Sequence, residues 1–358
     1  MKKICVITGS RADYGLLKNL ISIIKKDNHT NLQLFVTGSH LSKEFGNTYK
    51  EILSDKFKIT KKIDIKLNND TPISICNSMS IGLKLFSIAF QKHKPDILVI
   101  LGDRYELLVA ATAALIHNIP IAHLHGGEKT IGAFDDAIRH SITKMSHLHF
   151  TTCEIYKKRV IQLGEDKNYV FNVGGFGNEA MKKINLIDYQ NIEKNLKFKF
   201  YKFNLLITFH SVTNEKLSSE KYIKELLLAL SKFNKIRLIF TLSNADTDGR
   251  IINKLIKNFT NKNSNAIYFE SLGQTYYYSI LKNVDAVVGN SSSGILEAPT
   301  YRVPTINIGD RQKGRVMAKS IININPLKSE ICLAIKKIYN KKFKIAIKST
   351  KSPYDKKN

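Results

Sequence analysis

Short apolar runs alternate with amphipathic ones along nearly the whole chain, and the alternation runs through twice. Residues 3–8, 32–37, 95–101, 119–124 and 148–152 are strand-length runs rich in Val, Ile and Leu. Helical spacing fills the gaps. In residues 14–26, Leu17, Leu20, Ile21 and Ile24 recur at i, i+3, i+4 and i+7. Thr71-Pro72 opens a long helix to about Lys92, with proline in its first turn. Residues 105–117 and 154–163 supply two more helices. Apolar runs on this alternation predict βαβ units and a parallel sheet covered on both faces. After Val173-Gly-Gly-Phe-Gly177, whose glycines suggest a hinge, the pattern restarts. Strands are expected at 203–209, 236–241, 266–269, 284–288 and 303–308, and helices at 215–232, 248–259, 275–282 and 326–337. The expected class is α/β, with two Rossmann-like doubly wound domains, 1–175 and 176–340, and an interdomain cleft. Residues 341–358 form a Lys-rich tail, expected to be partly disordered.

Composition narrows the function classes. A chain of 358 residues suffices for two domains. No run approaches the ~18 apolar residues of a membrane span, and Met-Lys-Lys followed by a short apolar run reads as a first strand, not a signal peptide. Cys5, Cys76, Cys153 and Cys332 are widely spaced with no Cys-x-x-Cys pair, which argues against a disulfide framework or structural zinc and fits the cytoplasm. The formal net charge is +26, but the Lys excess is scattered and densest toward the end. With no helix-turn-helix or RNA-recognition signature, attraction for anionic substrates is a better reading than nucleic-acid binding.

Residues 119–140 pack His123, His125, His140, Glu128, Asp135, Asp136 and Arg139 behind a strand. In a βα loop these groups converge on the carboxyl end of a parallel sheet, where open α/β folds bind ligands. They read as an acid–base centre or, alternatively, as a solvated loop with Asp135 capping a helix. Gly102-Asp103-Arg104 ends another strand, and Asp103 is either a helix cap or part of the same centre. In residues 8–15, Gly9 allows a tight turn and Arg11 can meet a phosphate at a helix start, or form a structural pair. Gly289-Asn-Ser-Ser-Ser-Gly294 leads into a helix carrying Glu297. Ser291, Ser292 and backbone amides can cradle a diphosphate while Glu297 accepts both ribose hydroxyls; the plainer alternative is a Ser-rich cap. Arg311 and Arg315 add cations suited to phosphate. His210 ends a strand, facing the cleft or serving structure. Among residues 276–278 one ring, Tyr277, can stack on a base or simply pack.

Taken in order, these motifs resemble the UDP-N-acetylglucosamine 2-epimerase family, most closely its hydrolysing, N-acetylmannosamine-forming branch in bacterial sialic acid synthesis. The stretches 8–15, 102–104, 123–128, 135–144, 289–294 and 309–315 carry the resemblance, which covers nearly all of the chain short of the tail. It implies the two-Rossmann arrangement of the GT-B glycosyltransferases. It places Asp103, His125, Glu128, Asp135 and His210 in the acid–base region, and Arg11, Ser291, Ser292, Glu297 and Arg311 at the nucleotide diphosphate. The reading of the residues adds Arg104, Arg139, His140, Tyr277 and Arg315 as substrate contacts. Some members, including the animal enzymes, carry a catalytic Glu where this chain has His125, so that role falls to His125 or to Glu128.

The implied reaction has two stages. A base takes the C2 proton of the sugar as the C1–O bond to UDP breaks, giving a glycal. Water then adds at C1 and a proton returns to C2 from the other face, giving N-acetylmannosamine and UDP. The C2 proton is barely acidic, so stabilising the departing diphosphate comes first. Proton steps on two faces need two groups with separated pKa values. No cofactor is expected: neither nicotinamide nor metal, since the His123, His125 and Glu128 spacing lacks a ligand pattern. The expected partners are the nucleotide-sugar substrate and further copies of the chain in a homodimer or homotetramer, with no nucleic acid and no membrane. Three other readings stand beside this one. They are the same chemistry on a UDP- or GDP-linked 2,4-diacetamido-2,4,6-trideoxyhexose of a legionaminic acid route, a GT-B glycosyltransferase, and a nucleic-acid binder.

Overall fold

The computed structural model describes all residues except 70, 130–133, 212–217, 244–248 and 356–358, and all their side chains except those of residues 179, 180, 183 and 218. The chain divides into two compact units, the first made of Met1–Glu128 and Asp135–Phe176, with the main boundary at Phe176/Gly177.

The first unit contains β1 (Lys2–Thr8), α1 (Arg11–Lys26), β2 (Thr30–Thr37), α2 (Tyr49–Ser54), β3 (Lys61–Ile63), α3 (Pro72–His93) and β4 (Ile97–Leu101). It continues with α4 (Tyr105–Ile116), β5 (Ile121–Leu124), α5 (Asp135–Met145), β6 (Leu148–Thr151), α6 (Glu154–Gln162) and β7 (Val170–Asn172). The seven strands form one sheet in the order β3-β2-β1-β4-β5-β6-β7, every pair parallel. Successive side chains of a strand point to opposite faces. Cys5, Ile7, Leu98, Ile100 and Ile121 therefore meet Phe86 and Phe90 of α3 and Ala110 of α4 on one side. On the other, Val6, Leu34, Val99 and Leu124 meet Tyr14, Leu17 and Ile21 of α1. The starts of these helices are local: the Ser10 hydroxyl accepts from the Asp13 amide, and Thr71 accepts from the Ser74 amide ahead of Pro72.

The second unit follows α7 (Phe176–Lys183) with α8 (Tyr189–Leu196), β8 (Phe203–Thr208), α9 (Ser218–Leu230), β9 (Ile236–Thr241), α10 (Gly249–Lys262) and β10 (Ala266–Phe269). Then come α11 (Gly273–Asn283), β11 (Ala286–Gly289), α12 (Ser293–Leu296), β12 (Thr305–Ile308), β13 (Ile321–Ile324), α13 (Lys328–Ile338) and α14 (Lys341–Ile347). Its sheet runs β10-β9-β8-β11-β12-β13, again all parallel. Both sheets share the doubly wound order in which the chain steps outward from a central strand and then reverses. The reversal falls between β1 and β4 in one unit and between β8 and β11 in the other, so the loops after these strands flank the usual ligand crevice.

The structure corrects the sequence reading in three places. β3, β7 and β13 were not expected; at three or four residues each they are too short to show a period. The tail is folded as far as it is described, with residues 356–358 lying outside the described ones: residues 341–347 form α14, and Tyr354 is fully buried with its hydroxyl donating to the Val316 carbonyl at 2.7 Å. Lys341, Lys342, Lys344, Lys348 and Lys351 face water while Ile347 and Tyr354 pack. And α3 is long and apolar enough to cross a membrane by length and composition, although Phe86, Ala89 and Phe90 pack it against the sheet.

Candidate active site

In the first unit the chemistry gathers at the carboxyl ends of β4 and β5. His123, inside β5, is fully buried. Its Nε2 lies 2.8 Å from the Gly102 carbonyl and its Nδ1 lies 3.2 Å from the Thr143 hydroxyl. A carbonyl only accepts, so Nε2 carries the proton. Burial pushes the imidazole down to about 3, against a smaller opposing pull from the Gly102 bond. His123 is thus a neutral strut joining the β4 loop, β5 and α5.

Arg139 of α5 organises the acidic groups. It is 1% exposed. One guanidinium nitrogen donates to the Asp103 carboxylate, and the other donates to the Glu128 carbonyl at 2.8 Å and lies 3.6 Å from the Asp136 carboxylate. A desolvated guanidinium with such partners is rigidly placed and favours an ionised Asp103. Asp103 does not cap α4: Arg104 occupies that position, without a side-chain cap bond. Asp135 is the first residue of α5, and with Asp136 it occupies the first turn, where the helix dipole favours carboxylates. His140 lies 3.6 Å from the Asp136 carboxylate.

The loop after β5 is bent by its own backbone. His125 has φ +66, a left-handed conformation that costs a non-glycine residue about 1–3 kcal/mol. Its amide donates to the Phe150 carbonyl at 2.9 Å, which helps hold it there. Gly127 has φ +78, and a Cβ on it would lie 2.5 Å from the Tyr156 carbonyl oxygen, so only glycine fits. The turn brings Glu128 back under His125. Glu128 is 1% exposed, with Oε1 3.2 Å from His125 Nδ1 and accepting from the Thr152 hydroxyl at 3.1 Å. His125 Nε2 is buried and has no hydrogen-bond partner among the described residues.

Glu106 was missed by the sequence reading, because an acid in a helix's first turn looks like ordinary dipole complementation. It is fully buried, and its Oε1 accepts from Arg104 Nε at 2.6 Å. A Cβ on Gly9 or Gly38 would lie 2.5 or 2.8 Å from that oxygen. The loops after β1, β2 and β4 therefore close around one carboxylate. Asp13, beside Arg104 and Glu106, is pushed up to about 6, chiefly by burial. Arg11 begins α1, with Nη1 4.0 Å from the Glu51 carboxylate, and burial lowers its pKa.

In the second unit Asn290, also missed, staples the crevice. Its Oδ1 accepts from the His210 amide at 2.7 Å and its Nδ2 donates to the His210 carbonyl at 2.8 Å, tying the ends of β8 and β11. Its own carbonyl accepts from Gln312 at 2.8 Å and Arg311 at 3.3 Å, adding the loop after β12. His210 Nδ1 lies 3.3 Å from the Ser243 hydroxyl. Ser292 stands at the cap position of α12 but makes no side-chain cap bond, while the Ser291 hydroxyl accepts from the Ser293 amide at 3.4 Å. Tyr277 donates to Ser293 at 2.7 Å, and Tyr278 donates to Glu297 Oε1 at 3.0 Å. Arg315 lies half-buried beyond Gln312. One unit thus gathers Asp103, Arg104, His125, Glu128, Asp135, Arg139 and His140. The other gathers His210, Ser291, Ser292, Glu297 and Arg311.

The family model described as UDP-N-acetylglucosamine 2-epimerase matches residues 22–358. The chain is 49% identical to the GDP/UDP-N,N'-diacetylbacillosamine 2-epimerase (hydrolyzing) of Campylobacter jejuni, over 96% of this chain and 89% of that one. It is 43% identical to the polysialic acid biosynthesis protein P7 of Escherichia coli, over 100% of this chain and 91% of that one. Its fold matches the crystal structure of the Neisseria meningitidis UDP-GlcNAc 2-epimerase bound to UDP-GlcNAc with a TM-score of 0.83, over 99% of this chain and 96% of that one, at 16% identity.

Proposed function

The chain belongs to the UDP-N-acetylglucosamine 2-epimerase family, and from that premise we propose that it is a hydrolysing nucleotide-sugar 2-epimerase. It inverts C2 of a 2-acetamido sugar and releases the free sugar and a nucleoside diphosphate. The observation that carries this reading is the pairing of two proton-handling groups in unlike surroundings. Asp103 is held ionised against Arg139. His125 is backed by Glu128 at Nδ1, which keeps Nε2 as the basic lone pair. Separated environments let one group take the C2 proton and the other return one.

The loss of the diphosphate runs ahead of proton removal, because a carbon acid beside an acetal is weak. Arg311, Arg315, Ser291 and Ser292 are the donors assigned to the departing diphosphate, Glu297 to the ribose hydroxyls, and Tyr277 to the base. Arg11, Arg104 and His140 are further contacts assigned to the substrate, and His210 and Asp135 are assigned to the proton steps. The exposed apolar side chains Ile73, Leu83 and Ile88 of α3 and Ile116 of α4 support assembly of copies into a homodimer or homotetramer.

The sugar is a UDP- or GDP-linked 2,4-diacetamido-2,4,6-trideoxyhexose, a reading supported by the relative at 49% identity. UDP-N-acetylglucosamine, giving N-acetylmannosamine, is the second reading, supported by the polysialic acid relative. Incubation with both sugars as UDP and GDP derivatives in deuterated water, followed by NMR, tests both levels. Free C2-inverted sugar with one solvent deuterium at C2 is expected. Retention of the substrate's C2 proton overturns the two-group chemistry, and the preferred substrate identifies the sugar.

A further inference from the structure

The dipeptide at which the chain leaves one unit and enters the next touches a functional side chain on each side of the junction. The Phe176 ring lies 5.4 Å, centroid to centroid, from the His125 imidazole at an interplanar angle of 38°. It also packs against the core face that includes Leu124, one residue before His125. His125 is held in a left-handed backbone conformation, and such a residue keeps its geometry only when its surroundings over-determine it. The bond to Glu128 fixes one edge of the imidazole, and Phe176 fixes its face.

Gly177 does the equivalent for Glu297. A Cβ built on Gly177 would lie 2.4 Å from Glu297 Oε1 and 2.9 Å from its Cγ. The missing side chain is what leaves the carboxylate where it is, with the Tyr278 hydroxyl donating to the same oxygen at 3.0 Å. The next residue anchors the junction. Asn178 is 2% exposed, with its Nδ2 2.7 Å from the Thr300 hydroxyl and 2.8 Å from the Asp355 carboxylate. The helix start carrying Gly177 cannot back away from Glu297 without breaking these bonds.

We infer that Phe176 and Gly177 are positioning residues, Phe176 for the imidazole of His125 and Gly177 for the ribose-binding carboxylate of Glu297. The inference rests on the roles proposed above for His125 and Glu297. It predicts that two adjacent residues act on different kinetic constants. Phe176 governs the proton step and so kcat, while Gly177 governs nucleotide affinity and so KM.

The test measures UDP binding by calorimetry and turnover of the preferred substrate, with thermal unfolding as the folding control. Phe176→Ala should lower kcat at least ~10-fold and shift the pH profile of kcat, with UDP affinity within twofold of wild type. Phe176→Tyr, which keeps the ring, should restore most of kcat. Gly177→Ala should weaken UDP binding at least ~10-fold with kcat at saturation within about threefold. Glu297→Ala removes the group that the new methyl would displace, so adding Gly177→Ala to it should cost no further UDP affinity. That double variant also serves if Gly177→Ala alone fails to fold. Normal UDP binding by Gly177→Ala, a further loss in the double variant, or normal kcat in Phe176→Ala overturns the corresponding assignment. If the wild-type chain itself binds no UDP, the nucleotide reading of the second unit has failed instead.

Discussion

Arg139 and Asp103 lie 36 residues apart in sequence, yet the guanidinium of one donates directly to the carboxylate of the other. The same guanidinium holds the Glu128 carbonyl. One buried cation thus sets the relative position of the loops after β4 and β5, which carry the groups assigned to proton transfer.

Asp103→Asn should therefore reduce kcat by ~10²-fold or more, the usual scale for loss of a general acid or base. Arg139→Lys should reduce it too, and should also lower stability by about 1–3 kcal/mol, because a lysine cannot serve both acceptors and leaves a buried one unpaired. Steady-state kinetics and urea unfolding check both. Wild-type turnover in both variants would remove this pair from the mechanism.

His125→Gln and Glu128→Gln should each cost ~10²-fold in turnover, since the glutamine at 128 no longer holds the His125 tautomer. Asp135→Asn separates chemistry from the helix start. If its turnover is normal while the other two are inactive, Asp135 only complements the dipole of α5. Full activity in His125→Gln and Glu128→Gln would place the proton work elsewhere.

Buried neutral histidines make stability depend on pH. His123 titrates at about 3 and His40 at about 4 in the folded chain, both lowered chiefly by burial, against ~6.5 when unfolded. Between these values the unfolded state binds more protons, so stability falls as pH drops from about 6.5 toward 3. Asp13, raised to about 6, works the other way, because the folded state protonates first and gains stability as pH falls from about 6 to about 4. His93 and His149 are lowered as well and Glu51 is raised, so four histidines against two carboxyls leave a net loss. Urea midpoints at about pH 7 and about pH 5 should differ in that sense, and His123→Asn should flatten the difference. A midpoint that rises toward acid pH would contradict this assignment.

Ser292→Ala and Arg311→Ala should each lower kcat/KM at least ~10-fold, equivalent to ~1.4 kcal/mol of transition-state stabilisation. Ser292 makes no cap bond that its loss would break, so folding should be unaffected. Two variants with wild-type kcat/KM would move the diphosphate site.

Chelation should leave turnover unchanged. Both ring nitrogens of His123 face protein partners, Gly102 and Thr143, and His125 Nδ1 faces Glu128, which leaves only His125 Nε2 as an imidazole ligand here, too few to hold an ion. Loss of activity in EDTA with recovery on adding a divalent cation would show that the loop binds metal.

Much of this protein was settled by short-range pattern. Apolar runs of strand length, the helical spacing of Leu17, Leu20, Ile21 and Ile24, and the Thr71-Pro72 start are properties of neighbouring residues, and they yield two doubly wound units without further help. The motif positions at strand ends follow from the same pattern, because a βα loop always lies at the carboxyl edge. Sheet order decided the rest. Whether Asp103 capped its helix or met Arg139, and whether Asn290 bracketed His210 across 80 residues, depend on which strands are neighbours. His123 and His125 look alike in sequence, yet one is a neutral strut inside β5 and the other sits on a left-handed turn just beyond it. The buried carboxylate of Glu106 and the packed tail were hidden for the same reason. A charged or Lys-rich segment reads as solvated until the fold supplies the arginine, the glycine gap or the carbonyl that satisfies it. Those partners come from distant parts of the chain, where local sequence carries no record of them.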